Sequence, residues 1–370
     1  MGEVNDADPG PLSGVRVLDV SQLLPGPWAA QVLADLGADV TKVEPPGGDG
    51  GRTIRGDVFT VSNRNKRGIV LDLKSDEGRR AFLDLARDAD VLVEGYRPGV
   101  VDRLGIGYEH VAAVNAGIVY CSITGFGQGE GADRQVPGHD LNYLAASGAL
   151  SFPGHWGEEA RRPGVPMADL ASSSFAVVAV LAALHDRDRR GRGCHLDVSM
   201  TDVMTAWASA RGGSRLVREA DDRRHLYPTN DVFGTADGRR LALGAVEDGF
   251  WEATRQVLAE VEPRLADERF ADRTRHPDEL HLLVRDAFGR KTLADWLERL
   301  AGTNVPVTPV RSLTEVADAA VAAGDELVQE KDGERHVVFP VRRDGAVMGR
   351  LRSASPALDS GGRSVPWTSR

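Results

Sequence analysis

Apolar positions first gather in "GVRVLDVS", a short run rich in Val and Leu that predicts a β-strand. The loop "QLLPGP" follows, then "WAAQVLADLGAD", whose apolar positions recur at helical spacing, then a second strand-like run, "VTKVEPP". A β-loop-α-β order is the mark of a parallel sheet joined by crossover helices. The rhythm persists through "GIVLDLKS", the helix "DEGRRAFLDLARDAD", the strand "VLVEGY", the helix "GYEHVAAVNAG" and the strand "IVYCSITGFG". These alternations predict an open α/β domain.

After residue 126 the pattern changes. A Gly-rich loop (125–138) leads into a short helix that begins at His139, and a second loop (151–166) leads into "MADLASSSFAVVAVLAALHDRD". The strand "CHLDVSM" and the helix "TDVMTAWASA" close this block, and a polar, Arg-rich connector follows. Beyond it, "GRRLALGAVEDGFWEATRQVLAEV" reads as a strand and a helix, and "TLADWLERLAGTNVPVTPVRSLTEVADAAV" with "RHVVFPVRR" predicts a smaller α/β or α+β unit. The longest apolar run, "FAVVAVLAAL" (175–184), is too short to span a bilayer and reads as a buried helix.

Composition narrows the partners. Lys and Arg total 45 against 55 Asp and Glu, a net charge of -10. That balance argues against nucleic acid while leaving room for a local basic strip that holds a phosphorylated ligand. Cys121 and Cys194 have no second Cys or His at metal-ligand spacing, so neither a metal site nor a disulfide framework is expected, and a cytoplasmic setting is the simplest reading. The acidic leader "MGEVNDADPG" has no apolar signal core and is expected to be a loose segment. Neither a metal nor a membrane partner is expected.

Several residues stand where chemistry is possible, each beside a plainer role. "PGPWAA" occupies the place of a dinucleotide-binding G-x-G-x-x-G turn, but its prolines remove N–H donors, which favours a helix N-terminus lining some other pocket. Arg64, Lys66, Arg67, Lys74 and Arg97 fall beside strand ends. They form either a solvated rim or, with the flat face of Tyr96, a strip suited to a phosphorylated adenosine. His139 is either an exposed residue at a helix start or a base beside the N–H groups of that turn, which attract developing anions. Gly138 before it permits close approach of a substrate, and Asp140 is a candidate cap. Asp169 is a second carboxylate at a helix start, and the small residues Ala171, Ser172, Ser173 and Ser174 leave space for a pocket wall beside it. Glu247 sits at a strand-to-helix junction, where a capping role is usual.

Taken in order, these stretches resemble the family III CoA-transferase superfamily, and within it the α-methylacyl-CoA racemases. The resemblance runs from "PLSGVRVLDVSQLLPGPWAAQVLADLGADVTKVEPPGGD" through "NRNKRGIVLDLKSDEGR", "DVLVEGYRPGVVDRLGIGYE" and "GHDLNYLAASGALS" to "ADLASSSFAVVAVLAAL", "DGRRLALGAVEDGFW" and "VPVTPV". It implies a Rossmann-like large domain (11–210) after the leader (1–10), a linker (211–229), a small domain (230–325) and a C-terminal segment (326–370) that returns to the large domain. It also implies an interlocked homodimer that binds acyl-CoA, which is substrate rather than cofactor. Arg64, Lys66, Leu73, Lys74, Tyr96 and Arg97 fall at the positions expected to contact CoA.

In transferases of this family the carboxylate that falls at Asp169 is the nucleophile. Racemases use it as one of two proton-transfer bases, with a His in a "GHD" turn as the other and a Glu in a "GA-x-E" turn as its support. This chain carries His139 in "GHD", Asp169 in "ADL" and Glu247 in "GAVE". That triple favours a racemase or epimerase acting through an enolate, with the Asp140 N–H at the oxyanion. A CoA-transferase and a weakly catalytic CoA-binding paralogue are the alternatives. The chain departs from the racemase pattern at Ala171, Ser172 and Ser173, where glycines are typical, and at "HLYPTNDVF" (225–233), where a Gly-rich loop is expected beside the acyl pocket. Of its five methionines, Met167, Met200 and Met204 fall near the site segments, so a smaller or more polar acyl group than a sterol side chain is expected.

Overall fold

Six parallel strands with helices between them form the sheet that the alternation predicts. The computed structural model describes residues 10–54, 57–212, 226–361 and Trp367. The expected leader up to residue 9, most of the connector (213–225, including His225) and the end of the tail lie outside the described residues. The first unit comprises the described residues up to 149, 163–208 and those from 319 onward. Its elements are β1 (Arg16–Asp19), α1 (Pro25–Asp35), β2 (Asp39–Glu44), α2 (Val58–Ser62), β3 (Lys66–Val70), α3 (Asp76–Arg87) and β4 (Val91–Glu94). After these come α4 (Val100–Leu104), α5 (Tyr108–Ala112), β5 (Val119–Thr124), α6 (Asp140–Ala146), α7 (Met167–Arg190), β6 (Cys194–Ser199) and α8 (Met200–Gly212), of which residues from 209 on fall in the second unit.

The strand order is β3-β2-β1-β4-β5-β6, and every neighbouring pair is parallel. β4 and β5 are buried at every position, as expected for central strands covered on both faces. The order reverses between β1 and β4, and in such sheets the crevice beyond the carboxyl ends at that reversal is where ligands bind.

The end of β1, the body of β2 and the start of β3 are joined by buried charge. Asp19 of β1 pairs with Lys66 of β3 at 2.8 Å, and Lys42 of β2 pairs with Asp49 at 2.8 Å and approaches Asp19 at 3.6 Å. Burial raises the Asp19 carboxyl, but Lys42 and then Lys66 overcome it and hold the group below its ordinary value. Lys66 Nζ also donates to Pro27 O at 2.8 Å and Asn63 Oδ1 at 2.7 Å. Burial draws its ammonium down to about 8. Arg64 is likewise buried, its guanidinium bound to both oxygens of Asp35 at 3.0 and 2.6 Å. Both readings of a basic rim are therefore corrected at Arg64 and Lys66. Neither is solvated or open to a ligand, because a buried carboxylate on β1 or α1 requires a partner.

α7 runs for 24 residues, well past the apolar run seen in the sequence. By length and composition alone it is long enough to cross a membrane, but Ala171, Ser172, Ser173, Ala176, Val177 and Val180 are buried within this unit. It packs against α1, α6, β5 and β6. The expected pocket wall at Ala171–Ser173 is a second correction. Ser173 Oγ donates to Pro25 O at 2.6 Å, so the small residues serve the close approach of α7 to α1.

The second unit comprises 150–162 with the described residues of 209–318. β7 (Asn230–Gly234), β8 (Arg240–Gly244) and β9 (Val307–Pro309) form an antiparallel sheet. Around it pack α9 (Asp248–Ala259), α10 (Pro277–Phe288) and α11 (Leu293–Leu300), over a core that includes Trp251, Phe270, Phe288 and Trp296. The sequence reading places 150–162 with the large domain. The structure ties this segment to the second unit through Asp231, which accepts from Trp156 N–H at 2.8 Å and contacts His155, and through Asp278, which accepts from Trp156 Nε1 at 2.9 Å. Within 225–233, residues from Asn230 onward form β7, and Thr229 and Asp231 are buried in this unit.

Two outcomes follow from the buried charges. Lys66→Ala leaves Asp19 with its Ser21 hydrogen bonds and, as cation, the longer Lys42 contact, and is expected to cost about 3–5 kcal/mol of unfolding free energy, read by urea denaturation. A loss within a few tenths of a kcal/mol would show that the cluster does not hold the sheet. Glu94, at the end of β4, is fully buried, and its Oε2 accepts from Tyr96 N–H at 2.7 Å. Burial pushes its carboxyl from 4.5 up to about 7, against the Ser122 and Tyr96 hydrogen bonds. The folded state thus binds this proton more tightly than the unfolded chain. Its contribution is complete below about pH 4.5 and is lost as pH rises through about 7, by up to about 3 kcal/mol. Glu94→Gln removes the titration, so the stability of wild type relative to the variant should decline between pH 5 and 8. A difference independent of pH would remove the assignment.

Candidate functional site

The carboxyl ends of β1, β4 and β5 open into a cavity of about 390 Å³, within the range of small-ligand sites. Gln22, Leu23 and Pro25 line it after β1, 95–98 after β4, and 123–126 at the end of β5 and beyond. Arg134 and 136–139 come from the following loop, Asn142 and Tyr143 from α6, Asp169 from α7, and Met200 from the start of α8. The helix N-terminus that follows β1 therefore lines a pocket, and Gly26 is needed there because a Cβ would collide with the Ser21 side chain.

The wall after β1 is held under strain. Leu23 adopts φ +65°, a left-handed conformation unfavourable for leucine. Its N–H donates to Asp49 Oδ1 at 3.0 Å, the same carboxylate that pairs with Lys42. Gln22 reaches across to Tyr96, donating from Nε2 to the hydroxyl at 3.2 Å.

The loop before α6 is shaped by Tyr143. Its hydroxyl donates to Gly138 O at 2.7 Å, and its ring meets Phe126 edge to face at 5.5 Å. A Cβ on Gly138 would stand 2.8 Å from that ring, and one on Gly125 would enter it. Gly138 is thus required for packing Tyr143, and it also lines the cavity. His139 is the exposed N-cap of α6, with its own N–H held by Asn142 Oδ1 at 3.0 Å.

Asp140 is buried and caps a different helix from the one expected. Its Oδ1 accepts from Ala168 N–H at 2.7 Å, in the first turn of α7. His139 and Asp169 each lie one residue from the ends of this bond, which brings the imidazole and the carboxylate to one cavity. Burial and then the Asp169 charge raise the Tyr143 hydroxyl above its ordinary value while Arg97 opposes them, so Tyr143 stands within the field of both groups.

The structure therefore gathers His139, Asp169, Tyr96 and Arg97 at one cavity. Leu73 is packed in the core and Lys74 is exposed, and neither lines the cavity. Glu247 is the exposed N-cap of α9 in the second unit. Its turn is pinned by Arg273, which donates to Ala245 O at 2.8 Å and also reaches Val246 O and Asp248. Among the described residues, no group of three or more His, Cys, Asp or Glu is placed to hold a metal ion. Sequence reasoning missed Gln22, Arg134 and Tyr143. Only Tyr143 had a visible signal, standing four residues beyond His139 on the same helical face.

Comparison with known proteins identifies the family. Residues 12–361 match CoA-transferase family III. An acetyl-CoA:oxalate CoA-transferase of Acetobacter aceti is 34% identical over 388 residues, covering 99% of this chain and 97% of that protein. The human α-methylacyl-CoA racemase is 35% identical over 319 residues, covering 82% and 79%. A crystal structure of a CAIB/BAIF family protein from Brucella suis superposes with a TM-score of 0.83 at 29% identity, covering 95% of this chain and 97% of that one. The chain is a member of CoA-transferase family III.

Proposed function

We propose that the protein is an α-methylacyl-CoA racemase or epimerase that inverts the carbon next to the thioester by two-base proton transfer. The observation that carries this reading is the presence of His139 and Asp169 on one cavity, held there by the Asp140–Ala168 hydrogen bond. Inversion needs a proton removed from one face of the α-carbon and a proton returned to the other. One of the pair takes the α-proton while the other, in its protonated form, supplies the new one. The products are the epimer and an enzyme in which the base that took the α-proton is now protonated and its counterpart is deprotonated. Nothing is oxidised and no cofactor is consumed. Enolate charge is assigned to the first N–H groups of α6, led by that of Asp140, a contribution of about 3 kcal/mol. CoA is part of the substrate, Tyr96 and Arg97 contact it in this reading, and the active species is a homodimer.

A second reading, CoA transfer, is favoured by one observation. The oxalate CoA-transferase relative aligns with 99% of the chain, the racemase relative with 82%. In that chemistry Asp169 attacks the acyl carbonyl, CoA thiolate leaves, and an acyl anhydride forms on the carboxylate.

Incubation with a 2-methylacyl-CoA in deuterated water, without an acyl acceptor, separates the readings. Exchange of the α-proton with loss of stereochemistry is expected. In a parallel incubation with an added carboxylic acid, transfer of CoA to that acid without exchange establishes the transferase, and neither activity across several acyl chains establishes a binding protein.

His139→Ala is expected to lower the exchange rate by roughly a hundredfold or more while leaving CoA affinity nearly unchanged, since a base is removed and the carrier contacts remain. Full exchange in that variant would falsify the two-base assignment. Glu247→Gln, in the second unit, is expected to lower exchange less than His139→Ala, and the two rates compared side by side check the order.

A further inference from the structure

Arg134 is a charged cavity residue that neither the sequence pattern nor the family motifs single out. It lies on the short 3-10 turn Ala132–Gln135. The next residue fixes that turn in place, because Gln135 Nε2 donates to Pro98 O at 2.9 Å. Pro98 follows Arg97 directly, so the hydrogen bond docks the Arg134 turn onto the loop that carries Arg97. Both arginines are exposed and both line the 390 Å³ cavity.

Their electrostatic setting differs from that of the neighbouring arginines. Arg52, Arg64, Arg67 and Arg187 are each paired with a carboxylate of the first unit. Among the described residues, neither Arg97 nor Arg134 has such a partner. Asp169 is the one carboxylate among the described residues that line the cavity, against two guanidinium groups and the His139 imidazole. A surplus of cations at one cavity in a chain of net charge -10 is a local field that gathers anions. Guanidinium groups match the geometry of carboxylate and phosphate oxygens, two donors at a time.

We propose that Arg134 joins Arg97, already placed against CoA in the reading above, in an oxoanion subsite at this cavity. It takes a carboxylate carried on the acyl group or a phosphate of the CoA carrier. The inference rests on the acyl-CoA reading above and narrows it, because the first source makes the acyl group anionic.

The test is calorimetric titration of wild type, Arg134→Gln and Arg134→Lys with acetyl-CoA, succinyl-CoA and inorganic pyrophosphate at one fixed ionic strength. Arg134→Gln is expected to weaken succinyl-CoA binding by about tenfold, and Arg134→Lys to weaken it less. A loss confined to succinyl-CoA identifies the acyl carboxylate as the ligand. A parallel loss for acetyl-CoA and pyrophosphate identifies the carrier's phosphates. Unchanged affinities for all three in Arg134→Gln overturn the subsite and leave the acyl-CoA reading intact. Wild-type protein that binds pyrophosphate through Arg134 but neither thioester overturns the acyl-CoA reading and keeps the subsite, and binding of none of the three overturns both.

Discussion

Asp19 closes the central strand of the sheet with a buried charge, and much of the first unit is arranged to satisfy it. A lone carboxylate taken out of water is costly, so cations must come to it from neighbouring strands. Lys66 arrives from β3 and Lys42 from β2, and Lys42 brings Asp49 with it. Asp49 then accepts the N–H of Leu23 and holds that residue in a left-handed conformation that leucine does not choose. The consequence is functional. The loop after β1 is fixed with Gln22 and Leu23 on the cavity, so the site inherits its first wall from an electrostatic requirement of the fold.

The opposite wall depends on hydrogen bonds between helix starts. α6 is only seven residues long, too short to persist without tertiary support. Tyr143 anchors it to Gly138 and Phe126, and Asp140 ties it to α7. These ties place two chemical groups from distant parts of the chain at one cavity without asking either to bend the backbone. Both are presented from helix first turns, where the N–H groups point toward a ligand and favour negative charge.

The parallel sheet was legible in the sequence because its strands and helices repeat with clear periods, and β4 and β5 are mostly apolar, as central strands are. His139 and Asp169 were legible because each stands at a helix start in a recognisable motif. The basic residues were not. Arg64 and Lys66 look like surface charge in one dimension, since their partners, Asp35 and Asp19, lie 29 and 47 residues away. No local pattern reports a pairing at that separation. The small residues after Asp169 misled for a related reason. A run of Ala and Ser is equally suited to a pocket and to a close helix contact, and only the position of α1 decides between them. Arg134 and Gln22 carried no signal, because loop residues acquire their roles from the elements that flank them.

Asp169 can serve either chemistry of the family, so the choice between them turns on what surrounds the carboxylate. A nucleophile needs open access to the acyl carbonyl and a leaving thiolate stabilised nearby. A proton-transfer base needs a second base across the α-carbon and a way to tolerate the enolate between them. The cavity supplies an imidazole on the wall built by α6, and besides His139 and Asp169 it carries the cations Arg97 and Arg134. Cations lower the energy of an enolate, but they equally stabilise a tetrahedral oxyanion formed during transfer. The arginines therefore do not discriminate, and the proposal of inversion rests on His139, which would be its second base and which transfer through Asp169 does not require.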